Sequence, residues 1–204
     1  MKYLVIAIIA LTVAANSSMA FALDTKKPYI KTSVGRFKFD DTFNGSYADT
    51  NGNLVFVEVD DETIALDTNV GFPFNDNVAI EGGFFYLTET DWERGVEGQT
   101  MSGSSVRTIH DTGNLDGYAL TVAMVSRFPV SSNFDVLGKF GVYRLELTYT
   151  NWWGPGLSTE IDDTDVLVGF GLDFRVNRLA FFVIGYDVYS DVGNFAHIGV
   201  RFNP

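Results

Sequence analysis

From Tyr29 to Phe202, apolar and polar residues alternate with a period of two in one segment after another. That is the spacing of a strand whose two faces meet different surroundings. Eight segments carry it: Tyr29–Phe39, Glu62–Phe72, Val78–Thr88, Gly117–Phe128, Phe134–Tyr149, Asp165–Arg175, Arg178–Tyr189 and Asn194–Phe202. Most are 9 to 12 residues long. A tilted strand crosses a bilayer in about 9–11 residues, whereas strands of soluble proteins average about 5–6. The second segment sets Ile64, Leu66, Val70 and Phe72 against Ala65, Asp67, Asn69 and Gly71. The third sets Ile80, Phe84 and Tyr86 against Glu81 and Gly83, with Phe85 and Leu87 departing from the polar face near its outer end. In the last, Ile198, Val200 and Phe202 oppose His197, Gly199 and Arg201. The seventh is apolar through Phe181–Ile184, which leaves its register open.

The connections have a rhythm. Pro73–Asn77, Pro129–Asn133 and the stretch near Arg175–Arg178 are short and rich in turn formers. Asp40–Asp61, Glu89–Asp116 and Thr150–Thr164 run from 15 to 28 residues and read as long loops, while the last connection, Ser190–Gly193, is short. Short turns on one rim and long loops on the other are the layout of a barrel in the outer membrane. An even strand number brings both chain ends to the periplasmic side.

Alternation alone also suits a soluble barrel turned inside out, such as a lipocalin, and the minority face decides between them. It carries Gly together with Asp67, Glu81, Arg127, Lys139, Asp173, Asp187 and Arg201. An eight-stranded barrel is just wide enough inside to be filled by side chains, and small residues with charges of both signs can fill it as a hydrogen-bonded network. The aromatic majority face then points to lipid, with Tyr29, Phe72, Phe128 and Phe202 as an aromatic girdle at the periplasmic ends. The prediction is an all-β fold, an eight-stranded antiparallel up-and-down transmembrane β-barrel. Its interior ion network, structural or pore-lining, comprises Asp67, Glu81, Arg127, Lys139, Asp173 and Arg201.

The N-terminus adds an address. Lys2, the apolar run Leu4–Ala15 and the small residues around Ser18–Ala22 have the order of a secretory signal peptide. The run is shorter than the roughly 20 residues a spanning helix needs. Residues 1–22 are therefore read as a cleaved signal, and 23–204 as one barrel domain in the bacterial outer membrane. A formal net charge of −12 excludes a nucleic-acid binder, which needs clustered Lys and Arg. The acidic runs Asp40-Asp41, Asp60-Asp61-Glu62 and Asp162-Asp163 lie in or beside the loops. They read as solvated surface or, alternatively, as divalent-cation contacts near anionic headgroups. With no cysteine there is no disulfide framework or thiolate metal site.

Chemistry is scarce. His110 stands beside Asp111 with Ser104 and Ser105 near, the residue types of a surface hydrolase and also of an ordinary polar loop. Asp49–Asn53 has a partial calcium-loop spacing without the Gly and Glu that complete one. Trp152 and Trp153 read as interface anchors. No catalytic, cofactor or metal residues are assigned.

Ser126–Arg144 (SRFPVSSNFDVLGKFGVYR), Gly185–Tyr189 (GYDVY) and the ending Ile198–Phe202 (IGVRF) resemble the transmembrane domain of outer-membrane protein A and its small barrel relatives. The resemblance implies an interior ion network in which Glu81, Arg127 and Lys139 are the best-matched members. It also implies that Phe202 is a terminal signal for the barrel-assembly machinery, although Asn203-Pro204 follow it here. The expected protein is a monomer contacting outer-membrane lipid and lipopolysaccharide, with a structural or surface-interaction role. A narrow channel is the alternative, and an outer-membrane hydrolase stands behind both.

Overall fold

A computed structural model describes residues 27–48, 54–99, 105–150 and 158–203. It contains ten strands: β1 (Tyr29–Phe39), β2 (Gly45–Ala48), β3 (Leu54–Val59), β4 (Glu62–Pro73), β5 (Val78–Gln99), β6 (Ser105–Ser131), β7 (Phe134–Thr150), β8 (Ser158–Arg175), β9 (Ala180–Tyr189) and β10 (Gly193–Phe202). Eight of them form a ring. β1 pairs with β4, each strand from β4 to β10 pairs antiparallel with the next, and β10 returns to β1 from Ile30↔Phe202 to Phe39↔Gly193. Closure leaves no sheet edge within the bilayer, where an unpaired backbone group costs several kcal/mol.

The sequence pattern sets which face looks out. Ile64, Phe72, Phe84, Leu120, Val122, Phe140, Phe170, Ile198 and Phe202 are exposed on the outer surface. From Ile64 to Phe74 this band spans eleven residues, about 25 Å at the tilt of a barrel strand, the height of a hydrocarbon core. The seventh expected strand takes a definite register, with Phe181, Val183 and Asp187 buried and Phe182, Ile184 and Val188 outside. It begins at Ala180 rather than Arg178, because Asn177 Oδ1 accepts from the amides of Leu179 and Ala180 and folds 176–179 into a turn.

The expected long loops are largely strand. β5 and β6 continue to 22 and 27 residues, well above the lipid band, and β7 and β8 pair up to Thr150↔Ser158. The hairpin β2–β3 docks on β5 from Val59↔Trp92 to Leu54↔Glu97, taking the place that β4 leaves after Ala65↔Leu87. Asn44 fixes its base, donating to Asp61 Oδ1 at 3.1 Å and accepting from the Val59 amide at 2.7 Å. Bulges hid these extensions from the alternation. The pairing of β5 with β6 shifts between Leu87 and Thr90 and again between Arg94 and Gly95. The inward face therefore passes from Phe85 and Leu87 to Thr90 and Trp92, and a pattern that changes phase does not read as one strand.

The barrel interior as the candidate functional site

Each inner-facing position is fixed by the pleat of its strand, so the interior can be followed from the periplasmic mouth upward. At the bottom, Arg201 Nη2 lies 2.8 Å from Asp173. Its guanidinium sits 4.0 Å from the centroid of the Phe181 ring and 5.2 Å from that of Tyr29. Aromatic faces attract a cation most where water is excluded, and the Arg201 side chain is 2% exposed. Arg127 stands 3.6 Å from Asp135 in a looser pair.

The next layer up is the densest in charge. Glu81 accepts from the Tyr29 hydroxyl at 2.7 Å and from Lys31 Nζ at 3.0 Å. Lys139 Nζ donates to Asp187 at 2.9 Å, and His197 Nε2 is 3.7 Å from the same carboxylate. Asp67 accepts from the Asn69 amide at 2.6 Å. All of these are buried, and buried pairs hold only when the mutual geometry offsets the loss of hydration.

Glycine makes this crowding possible. The Asn69 carboxamide lies over Gly83, the Asp187 carboxylate over Gly169, the His197 ring over Gly185 and the Tyr29 ring over Gly71. In each case the glycine is the residue directly across the strand pair. A Cβ at any of the four would overlap the side chain it supports.

Of the six network positions read from the sequence, Asp67, Glu81, Lys139, Asp173 and Arg201 are buried inside, and Arg127 is partly exposed at the mouth. Asp173 and Arg201 meet. Glu81 meets neither Arg127 nor Lys139; Lys31 and Tyr29 of β1 hold it instead. Tyr29, expected in the lipid girdle, is 2% exposed and points inward. Its strand has polar residues on both faces, with Thr32 and Arg36 outside and Lys31 and Ser33 inside, so the alternation there gave little contrast. Phe72, Phe128 and Phe202 are exposed on the outer surface as expected.

A second correction concerns the outer half. The interior there is apolar, a packed cluster including Phe37, Phe39, Phe85, Leu87, Trp92, Leu145, Leu147, Tyr189 and Phe195. Phe85 and Tyr189 lie 4.8 Å apart between ring centroids, and Phe85 and Phe195 lie 5.0 Å apart edge to face. Phe85 and Leu87 were the sequence signal for it. Lys31, Lys139, Asp187 and His197 border a cavity with room for a single water.

Of the hydrolase constellation, Ser104 and the Ser105 side chain lie outside the described residues. Asp111 is bound to Arg94 at 2.5 Å rather than orienting His110, which is exposed. Asp49–Asn53, Trp152 and Trp153 lie outside the described residues.

A closed antiparallel ring with a lipid-facing apolar band, an aromatic girdle and a filled interior defines a small transmembrane β-barrel. A family model for the outer membrane protein β-barrel domain matches residues 8–202, and the chain belongs to that family. Its place is the bacterial outer membrane. In structure the chain is similar to Neisserial surface protein A, from Neisseria, with 9% identity over 87% of this chain and 97% of that one and a TM-score of 0.57. It is also similar to the outer membrane protein OprG of Pseudomonas aeruginosa, with 13% identity over 88% and 97% of the two chains and a TM-score of 0.55. At such identities the likeness is one of fold. A search of curated proteins finds no sequence match to this chain.

Proposed function

We propose that this protein is a closed, non-conducting barrel that anchors a β-sheet on the cell surface, serving envelope integrity or contact with other surfaces. The observation that carries this reading is the packed apolar cluster across the outer half of the interior, above a layer of paired charges. Such a plug leaves no continuous aqueous path, whereas β5–β8 rise beyond the lipid band and present side chains outside. Single-channel recording of the refolded, heat-modifiable protein in planar bilayers is the test. The expected record is silent; discrete, reproducible openings would establish the channel alternative and make the interior charges its selectivity residues.

On this reading residues 1–22 are a cleaved export signal and the barrel is a monomer in lipid and lipopolysaccharide. Phe202, exposed at the periplasmic end of β10, is its signal to the barrel-assembly machinery. Phe202→Ala should lower the folded fraction in cells while leaving spontaneous refolding into detergent unchanged. Equal folded fractions in cells would remove that role.

A further inference from the structure

The charges of the densest layer do not balance. Lys31 holds Glu81 and Lys139 holds Asp187, which leaves the Asp67 carboxylate with the Asn69 amide alone. Besides the phenols of Tyr29 and Tyr189, His197 beside Asp187 is the remaining titratable group there. With that imidazole neutral, two ammonium groups face three carboxylates, an excess of one negative charge in a region closed to solvent.

Oxygen atoms without a partner lie on the inner face beside it. Asp67 Oδ1, Asn69 Oδ1 and Thr121 Oγ1 make no hydrogen bond. Their residues are 0%, 1% and 2% exposed. Asp67 and Asn69 are successive inner-face residues of β4, and Asn69 and Thr121 flank Gly83 from its two neighbouring strands. Thr121 Oγ1 lies 2.7 Å from where a Gly83 Cβ would stand, and Asn69 Oδ1 is closer still. The absent side chain of Gly83 is what lets oxygens from β4 and β6 converge. Burial without a partner is unfavourable for each oxygen and most of all for the carboxylate.

We propose that these oxygens bind one small monovalent cation, sodium or potassium, against Asp67. Hard oxygen donors suit an alkali-metal ion. A single positive charge neutralises the layer, whereas a divalent ion would leave it positive beside two lysines. The site is independent of whether the barrel conducts, because it rests on the layer's own charges.

The test is thermal unfolding of the full-length barrel in detergent micelles, in equal concentrations of sodium, potassium and N-methyl-D-glucamine chloride. At least one alkali-metal salt should raise the unfolding temperature by several degrees over the bulky organic cation. Asp67→Asn, which removes the excess charge, should abolish the difference, and Thr121→Val should shrink it. Sodium-23 line broadening by the folded wild type should disappear in Asp67→Asn. If Asp67→Asn does not fold, Thr121→Val carries the comparison. Equal unfolding temperatures in all three salts would overturn the site, and a dependence on pH alone would assign neutralisation to a proton on Asp67 or His197.

Discussion

At Glu81 the interior depends on a single side chain. Its carboxylate is the shared acceptor of Tyr29 and Lys31, two alternate residues of the strand on which the ring closes. In Glu81→Ala the Lys31 ammonium would stay buried without its counter-charge, and breaking such a pair costs about 3–5 kcal/mol. The urea midpoint of the barrel in lipid vesicles should fall accordingly, and Glu81→Gln, which keeps an acceptor for Tyr29, should fall less. Midpoints equal to wild type would mean that Lys31 finds another partner, Asp67 being the candidate. Alternation was enough to place Glu81, Asp67 and Arg201 inside, because a period of two assigns a face to every residue of a strand. Partner identity was beyond it. Which interior charges meet depends on strand tilt and on the stagger accumulated around the ring, and neither is written in any one strand.

Elements were legible where they cross lipid and obscure where they leave it. The expected Glu62–Phe72 falls one residue short of β4, since hydrocarbon on one face enforces alternation, and Tyr29–Phe39 coincides with β1 although polar residues lie on both its faces. Above the bilayer both faces of β5 and β6 meet water or other protein, and two bulges shift the phase. The hairpin β2–β3 belongs wholly to this outer region and supplies none of the ring's eight pairings. Replacing residues 41–60 by a tight turn should therefore leave a folded, heat-modifiable barrel. The upper part of β5 would lose the partner it has from Trp92 to Glu97, and limited proteolysis with mass spectrometry should reveal new cleavage there. Loss of heat modifiability would show that the hairpin is needed for the ring itself.

The molecule as a whole sits in the membrane by one apolar belt, and that belt makes position along a strand energetically unequal. Val122 faces lipid near the middle of β6 and is 56% exposed, while Val106 near the outer end of the same strand is 44% exposed. An arginine at the midplane of such a barrel costs about 2–4 kcal/mol and near the interfaces about 0–1. Val122→Arg should thus weaken folding into vesicles strongly and Val106→Arg hardly at all, as chemical denaturation would measure. Equal effects would displace the belt from where the exposed side chains put it. The glycines under the interior side chains bear on how the chain finds this arrangement. A strand slipped by one residue would turn the ring of Tyr29 or His197 toward lipid, and a slip by two would set it against a neighbour with a side chain instead of Gly71 or Gly185. Each flat side chain and its glycine therefore act as a notch and key, and the barrel proofreads its own strand alignment as it closes.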